Sequence, residues 1–322
     1  MAFPNSSISD IIATTIESRS GVIADNVTKN NALLARLSAK GKVKTFSGGS
    51  TILQELSYAE NGNFGWYSGY DLLPVAAQDV ISSAQFAIKQ AAVPVVVSGL
   101  EQLQNSGKEA IIDLVEQRLE VAEATMMNQL SGGLYSDGTG YGGKQLTGLA
   151  AAILATPTSG TYGGIDRSTW TFWRNQVGTT GALTTSNVQS RMNYLWALCV
   201  RGKDRPDLIV VDNNVWATYM ASLQALQRFT GAESAQLGFP SVKFMDADVV
   251  LDGGIGGYAP ANVGYFLNTN YLFFRPHKDR NMVPLSPRTR SATNQDAEVQ
   301  LLGWAGNLTC SNMSLQGYFP GS

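Results

Sequence analysis

The stretch SGKEAIIDLVEQRLEVAEATMMNQLSGG, from Ser106 to Gly133, constrains the fold of this chain more than any other. Ser106 and Glu109 fit the S-x-x-E capping box, in which the hydroxyl takes a free backbone N–H and the glutamate reaches back to the cap. Ile111, Leu114, Val115, Leu119, Ala122, Met126 and Leu130 recur every three or four residues. That period predicts one long amphipathic helix, with Asp113, Glu116, Gln117, Glu120 and Glu123 on its solvated side. Gly132 and Gly133 predict a left-handed exit, which glycine adopts without steric cost. At 1.5 Å per residue such a helix is a rod of about 37 Å, as long as a small domain is wide. Ile111, Val115, Leu119 and Met126 are the expected core contacts of this spine.

On either side of the spine the pattern changes. Residues 1–44 read as a helical arm, capped near Ser9, broken near Gly21 and stopped at Gly41, with too few apolar residues for a core of its own. The arm must lie against its own chain or a neighbour. From Lys42 to Pro74 the runs become short and β-prone. Asn61-Gly62-Asn63 predicts a hairpin turn between Ile52–Tyr58 and Phe64–Tyr67, because Asn and Gly accept the positive φ that such turns need. Tyr58, Phe64, Trp66, Tyr67 and Tyr70 cluster on this hairpin, the composition of an interface anchor. Residues 81–98 predict a strand pair interrupted at Pro94. LAAAILAT reads as a strand or short helix, Thr184–Arg201 as a helix, and DLIVVD, NNVWATYMASLQALQRF and VKFMDADVVLD as strand, helix and strand, a small α/β unit. Alternation from Glu298 to Leu308 predicts a closing strand.

Composition excludes several function classes. The chain has 322 residues, of which 44% are hydrophobic and only 15% charged, against about 25% in an average soluble protein. A surface so poor in charge suits contact with other protein. The net charge of -2 gives no basis for a dedicated nucleic-acid binder. Cys199 and Cys310 have no metal or redox spacing and read as buried thiols. The N-terminal MAFPNSSISDII lacks the basic and apolar regions of a signal peptide, and no apolar run is long enough to span a bilayer.

Catalytic signals are weak. His277 is the single histidine and has no G-x-S-x-G elbow beside it. Asp246-Ala-Asp248 lacks the rest of a calcium loop. Gly138 to Lys144 matches G-x-x-x-x-G-K, but Gln145 stands where a phosphate loop needs Ser or Thr, and the run follows a helix instead of a strand. It predicts a turn. No cofactor or metal is expected, and the chain is read as a non-enzyme.

The order of parts is informative: arm, aromatic hairpin, strand pair, long helix, glycine turn, α/β unit, closing strands. The runs Gly133-Leu134-Tyr135-Ser136-Asp137-Gly138-Thr139-Gly140, KQLTGLAAAI, and Tyr162-Gly163-Gly164-Ile165-Asp166-Arg167 with Trp173-Arg174-Asn175 follow in series. In this series the chain resembles, over essentially its whole length, the major capsid proteins of tailed double-stranded-DNA bacteriophages. Their Hong Kong-type α+β fold is shared by encapsulin shells. The resemblance implies an N-terminal arm at 1–44 and an extended hairpin, or E-loop, at 45–75. It further implies a peripheral domain with the spine helix at 76–180, an axial α/β domain at 181–290, and strands returning to the peripheral domain at 291–322. It implies a structural protein that assembles as hexamers and pentamers into the icosahedral head around the packaged genome, made in the host cytoplasm and located in the virion. Tyr58, Asn61, Asn63, Phe64, Trp66, Tyr67 and Tyr70 would then touch the neighbouring subunit. Partners would be further copies of the chain, a portal, a separate scaffolding protein, a decoration protein and, non-specifically, DNA; no membrane is involved. Some relatives crosslink a hairpin lysine to a neighbour's asparagine, but no Lys lies between Gln54 and Gln78, so non-covalent contacts are expected here. The alternatives are an encapsulin-like cargo shell and a soluble nucleotide-binding enzyme.

Overall fold

A computed structural model describes residues 31–104, 108–223, 241–253, 257–285, 290–291 and 297–321. The expected arm helix before residue 31 and the Ser106 cap lie outside the described residues. Helix α1 (Ala32–Ala39) is N-capped by Asn31, whose Oδ1 accepts from the Leu33 N–H at 2.9 Å. Leu33, Leu34 and Leu37 are fully buried in the chain's own core. Strands β1 (Thr51–Ser57), β2 (Ile81–Ala87) and β3 (Lys89–Ser98) follow, then the short α2 (Gly99–Gln104) and the spine α3 (Lys108–Leu134).

The predicted hairpin is wider than its turn signal suggests. β1 pairs antiparallel with β2, from Thr51 opposite Ala87 to Ser57 opposite Ile81, and 58–80 is one long connection. Asn61–Asn63 does turn, with the Phe64 N–H donating to the Asn61 carbonyl at 3.2 Å. Phe64–Tyr67, however, forms no strand. Ile52, Gln54 and Leu56 alternate inward, and the strand that answers them is the one carrying inward Ala84 and Phe86. β2 and β3 are two strands, as expected, but they do not pair with each other.

Four strands make the first large sheet. β13 (Ala297–Cys310) is its centre, with β3 along one side and β11 (Leu272–Pro284) and then β12 (Arg290–Ser291) along the other. Pro94 does not break β3, which stays in register through Pro94 opposite Leu301. β3 is an edge strand, where a missing N–H leaves no partner unsatisfied. Beside α3 lie a left-handed turn at Gly140–Gly143, a one-turn helix at Leu149–Ala152, and a small ribbon of β4 (Thr161–Tyr162) and β5 (Ile165–Asp166).

The second sheet runs β6-β14-β10-β7-β9-β8, from β6 (Gln176–Val177), β7 (Leu208–Val211), β8 (Ser241–Phe244), β9 (Ala247–Leu251), β10 (Val263–Leu267) and β14 (Gly317–Pro320). β7 and β9 are parallel, joined across α5 (Asn213–Leu223), so the strand–helix–strand unit is present. VKFMDADVVLD, expected as one strand, is the hairpin β8–β9, which reverses at Met245 with φ +53°. This sheet is buried on both faces. Leu208, Val210 and Tyr265 join the core around α3 and the first sheet, while Ile209, Val211 and Phe266 pack with Val188, Met192 and Leu195 of α4 (Val188–Leu198). Two hydrophobic cores therefore share one wall.

The spine ends differently from its sequence signature. α3 continues through Gly132 and Gly133 to Leu134, and neither glycine has positive φ. A Cβ on Gly132 would stand 3.1 Å from the Tyr258 ring, and one on Gly133 would stand 3.3 Å from Leu146. These glycines are small so that neighbours can approach, and the left-handed step comes later, at Gly138 with φ +82°.

Candidate functional site

Nothing described resembles a reaction centre. Among the described residues no group of three His, Cys, Asp or Glu side chains could hold a metal ion, and no helix of the described residues is long and apolar enough to cross a membrane. His277 lies on β11, its ring edge-on to Phe46 at 4.9 Å and its Nδ1 accepting from the Asp279 N–H at 3.1 Å. Gly138–Lys144 is a tight turn with positive φ at Gly138, Tyr141, Gly142 and Gly143. Cys199 and Cys310 are buried and unpaired with each other, and burial pushes each thiol up to about 12.

The exceptional surface is the β1–β2 connection. Its root is built in: the Tyr58 N–H donates to the Val80 carbonyl at 3.1 Å, and the Tyr58 ring packs against Trp170 at 5.7 Å and Phe172 at 5.8 Å. Trp173 anchors that support from beneath, fully buried with its Nε1–H donating to the Tyr162 carbonyl at 2.8 Å. Beyond the root the side chains face water. Trp66 is 94% exposed, Tyr70 is fully exposed, and Phe64 and Tyr67 are mostly exposed. Asn61 holds the turn by accepting from the Asn63 N–H at 3.0 Å. Of the seven residues singled out on the hairpin, Tyr58 therefore belongs to the subunit's own packing, and the remaining aromatics are exposed among the described residues. Leu72, Leu73, Val75 and Ile81, further along the same stretch, are exposed as well. Their signal was present in the sequence as the Leu72-Leu73-Pro74-Val75 run, apolar yet without a strand or helix period. Exposed large apolar side chains gathered in one loop are the kind of surface that interaction sites present.

The spine residues divide cleanly. Leu119 and Met126 are buried in the first core, while the side chains of Ile111 and Val115 lie outside the described residues. Glu120 is exposed as expected, but Glu123 is buried. Between α3, β3 and the glycine turn runs a groove of about 500 Å³, lined largely by apolar atoms of Ala91, Val93, Met126, Leu130 and Trp304. No local sequence pattern points to this groove, which draws on four separate stretches of chain.

No protein-family model and no curated protein matches the sequence. Solved structures do. The cyanophage A-1(L) capsid asymmetric unit matches with TM-score 0.64 at 19% identity, over 88% of this chain and 92% of that one. The fold is that of phage capsid subunits. The capsid of the native GTA particle matches this capsid fold with TM-score 0.58 at 13% identity, covering 88% of this chain and 89% of that one. The holo-SrpI encapsulin complex of Synechococcus elongatus PCC 7942 also matches, with TM-score 0.50 at 7% identity over 88% and 86%. The Hong Kong-type α+β architecture expected from the sequence is thus the observed one.

Proposed function

We propose that this chain is a shell-forming major capsid protein of a tailed bacteriophage, assembling as hexamers and pentamers into the icosahedral head that encloses the packaged genome. The observation that carries this reading is the β1–β2 loop, whose apolar side chains are exposed among the described residues, mounted on a fold that phage capsids share. In this reading 1–44 is the arm, 45–75 lies in the E-loop, and the α3 layer is the peripheral domain. The six-stranded sheet is the axial domain, to which the strands at 176–177 and 317–320 also belong. Phe64, Trp66, Tyr67 and Tyr70 are the intersubunit anchors. The role is structural and requires no cofactor. A portal, scaffolding and decoration proteins and non-specific contact with DNA are the remaining partners, and the virion is the location.

Purified protein studied by negative-stain microscopy and light scattering should give regular closed shells or capsomers. A stable monomer at high micromolar concentration would sink the proposal. The likeness to the encapsulin favours one second reading, a cargo shell with the same subunit geometry. Nuclease-protected DNA in particles isolated from the native source assigns them to the phage reading, and its absence together with a co-purifying protein cargo assigns them to the other.

A further inference from the structure

We infer that one face of residues 42–46 and the start of β11 binds the phosphodiester backbone of duplex DNA, without regard to sequence, through Lys42, Lys44 and Arg275. The shell reading supplies the polyanion, the enclosed genome, and on that reading the inference rests.

The backbone brings the three cations together. Residues 42–46 run beside β11 as an added edge: the Lys44 N–H donates to the Phe274 carbonyl at 2.9 Å, the Phe274 N–H to the Lys42 carbonyl at 3.1 Å, and the Lys278 N–H to the Phe46 carbonyl at 2.9 Å. Val43 stands opposite Phe274 and Phe46 opposite His277, in parallel register. Side chains alternate across such a ladder, so Lys42, Lys44 and Phe46 share a face with Phe273, Arg275 and His277. Phe274, out of phase with them, stacks on Trp304 at 5.6 Å in the first core.

The cations on this face are uncompensated. Nζ of Lys42 and of Lys44 lie 5.1 and 5.2 Å from the centre of the Phe273 ring, and Cζ of Arg275 lies 5.8 Å from it. An aromatic face attracts cations without neutralising them. Among the described residues none of the three makes an ion pair: Lys40 holds Asp207, and Asp279, the one carboxylate of β11, pairs with nothing. The neighbours of Arg275 are neutral. Its Nη2–H donates to Gln54 Oε1 at 3.1 Å, its Nε–H is buried without a partner, and Thr309 and Asn307 stand opposite Phe273 and Arg275 on β13. Burial, then the charges of Lys44 and Lys40, push the pKa of Lys42 down. An anion on this face relieves that crowding.

The pattern fits a repeating anion better than a single carboxylate. Residues 36–46 and 272–284 hold seven Lys or Arg against one Asp, in a chain whose net charge is -2. Lys42 and Lys44, two residues apart on extended chain, are spaced about 6.6 Å along it. A local basic stripe of this kind is the electrostatic footprint of a nucleic-acid contact. Lysines act on phosphate as point charges and so position a duplex without reading its bases.

Unassembled full-length chain titrated into two short fluorescent duplexes of unrelated sequence, with anisotropy read at several salt concentrations, tests the assignment. Both duplexes should bind with the same salt dependence. Lys42→Gln with Lys44→Gln leaves Arg275 on Gln54, and it should weaken both duplexes alike and reduce the slope of log affinity against log salt by about 2, near one per lysine. Lys203→Gln with Lys243→Gln removes the same charge from exposed positions elsewhere and should leave the slope unchanged. Matched melting temperatures establish that both variants fold. An equal loss in the two variants, or no loss in the first, overturns the inference. Sodium phosphate at constant ionic strength should leave the duplexes bound; their displacement assigns the face to free phosphate and overturns it too. So does a Lys42→Gln/Lys44→Gln chain that binds DNA normally yet assembles poorly, which assigns the face to an acidic segment of a second copy. Negative-stain fields of the unmodified chain judge the shell reading separately, and an absence of shells removes that reading whatever the anisotropy shows.

Discussion

Two half-buried carboxylates tie the start of the described chain to the six-stranded sheet, and they answer pH in opposite directions. Asp207 accepts from the Thr269 N–H and Oγ1–H, both at 2.7 Å, and pairs with Lys40 at 2.9 Å and Arg36 at 3.2 Å. Burial alone would raise its pKa, but the bonds from Lys40 and Thr269 outweigh burial and hold it below the ordinary value. A lowered folded pKa contributes stability that is complete above the unfolded value near 3.9 and is lost as pH falls through the folded one. Asp252 accepts from the Tyr135 hydroxyl and from Asn31 Nδ2, yet there burial dominates and raises its pKa. For Asp252 the ionised form is disfavoured in the folded state, so stability declines as pH rises from the unfolded value through the raised one. Asp207→Asn should cost roughly 1.5–3 kcal/mol near neutrality, the worth of bonds to a charged group, and the gap to wild type should close in acid. Asp252→Asn should gain on wild type between pH 4 and pH 7. Melting temperatures of unassembled subunits across that range decide the matter, and parallel pH trends in the two variants would contradict this account.

At the scale of elements, the spine sets what the sequence could and could not disclose. Leu119 and Val121 are two residues apart on α3, yet Leu119 is fully buried and Val121 is mostly exposed. Leu119→Ala should therefore lower stability by about 2–5 kcal/mol through the cavity it leaves. Val121→Ala should stay within about 0.5 kcal/mol, as surface changes do. Chemical-denaturation midpoints measure both, and similar losses would mean that the helix does not present one face to the core. The helix was legible because its period repeats over many positions, which local chemistry alone cannot disguise. Its glycines were misread because Tyr258 and Leu146, distant in sequence, decide why they are small. The partner of β1 was obscured for a different reason. Asn61-Gly62-Asn63 is a strong local turn signal, whereas the match of Ile52 and Leu56 to Ala84 and Phe86 is spread over two strands. The β8–β9 reversal carries no glycine, so Met245 hid it. Of the candidate site, the aromatic loop could be read directly from composition. The groove could not, because Lys89, Met126, Lys144 and Trp304 meet only once the sheet and spine have packed.

For the whole molecule, the decisive property is that its two cores close without the loop. The buried clusters include Ile52, Leu56, Ala84 and Phe86 of the hairpin strands, and Tyr58 packs against them, but the aromatics from Phe64 to Tyr70 belong to neither core. Folding and assembly should therefore be separable. A chain in which residues 60–78 are replaced by a short Asn-Gly turn keeps Tyr58 on Trp170 and Phe172 and keeps its bond to Val80. Shortening a loop of this length lowers the closure entropy by about 1–1.5 kcal/mol. The subunit should thus melt no lower than wild type, and slightly higher if the closure term is fully realised. It loses every exposed ring that the shell reading assigns to intersubunit contact, so closed particles should disappear from light scattering and negative-stain fields while folded subunits persist. Normal shells from the shortened chain would remove the loop from the assembly interface. Collapse of the isolated subunit would instead place the loop's aromatics in its own stability, against the exposure that Trp66 and Tyr70 show.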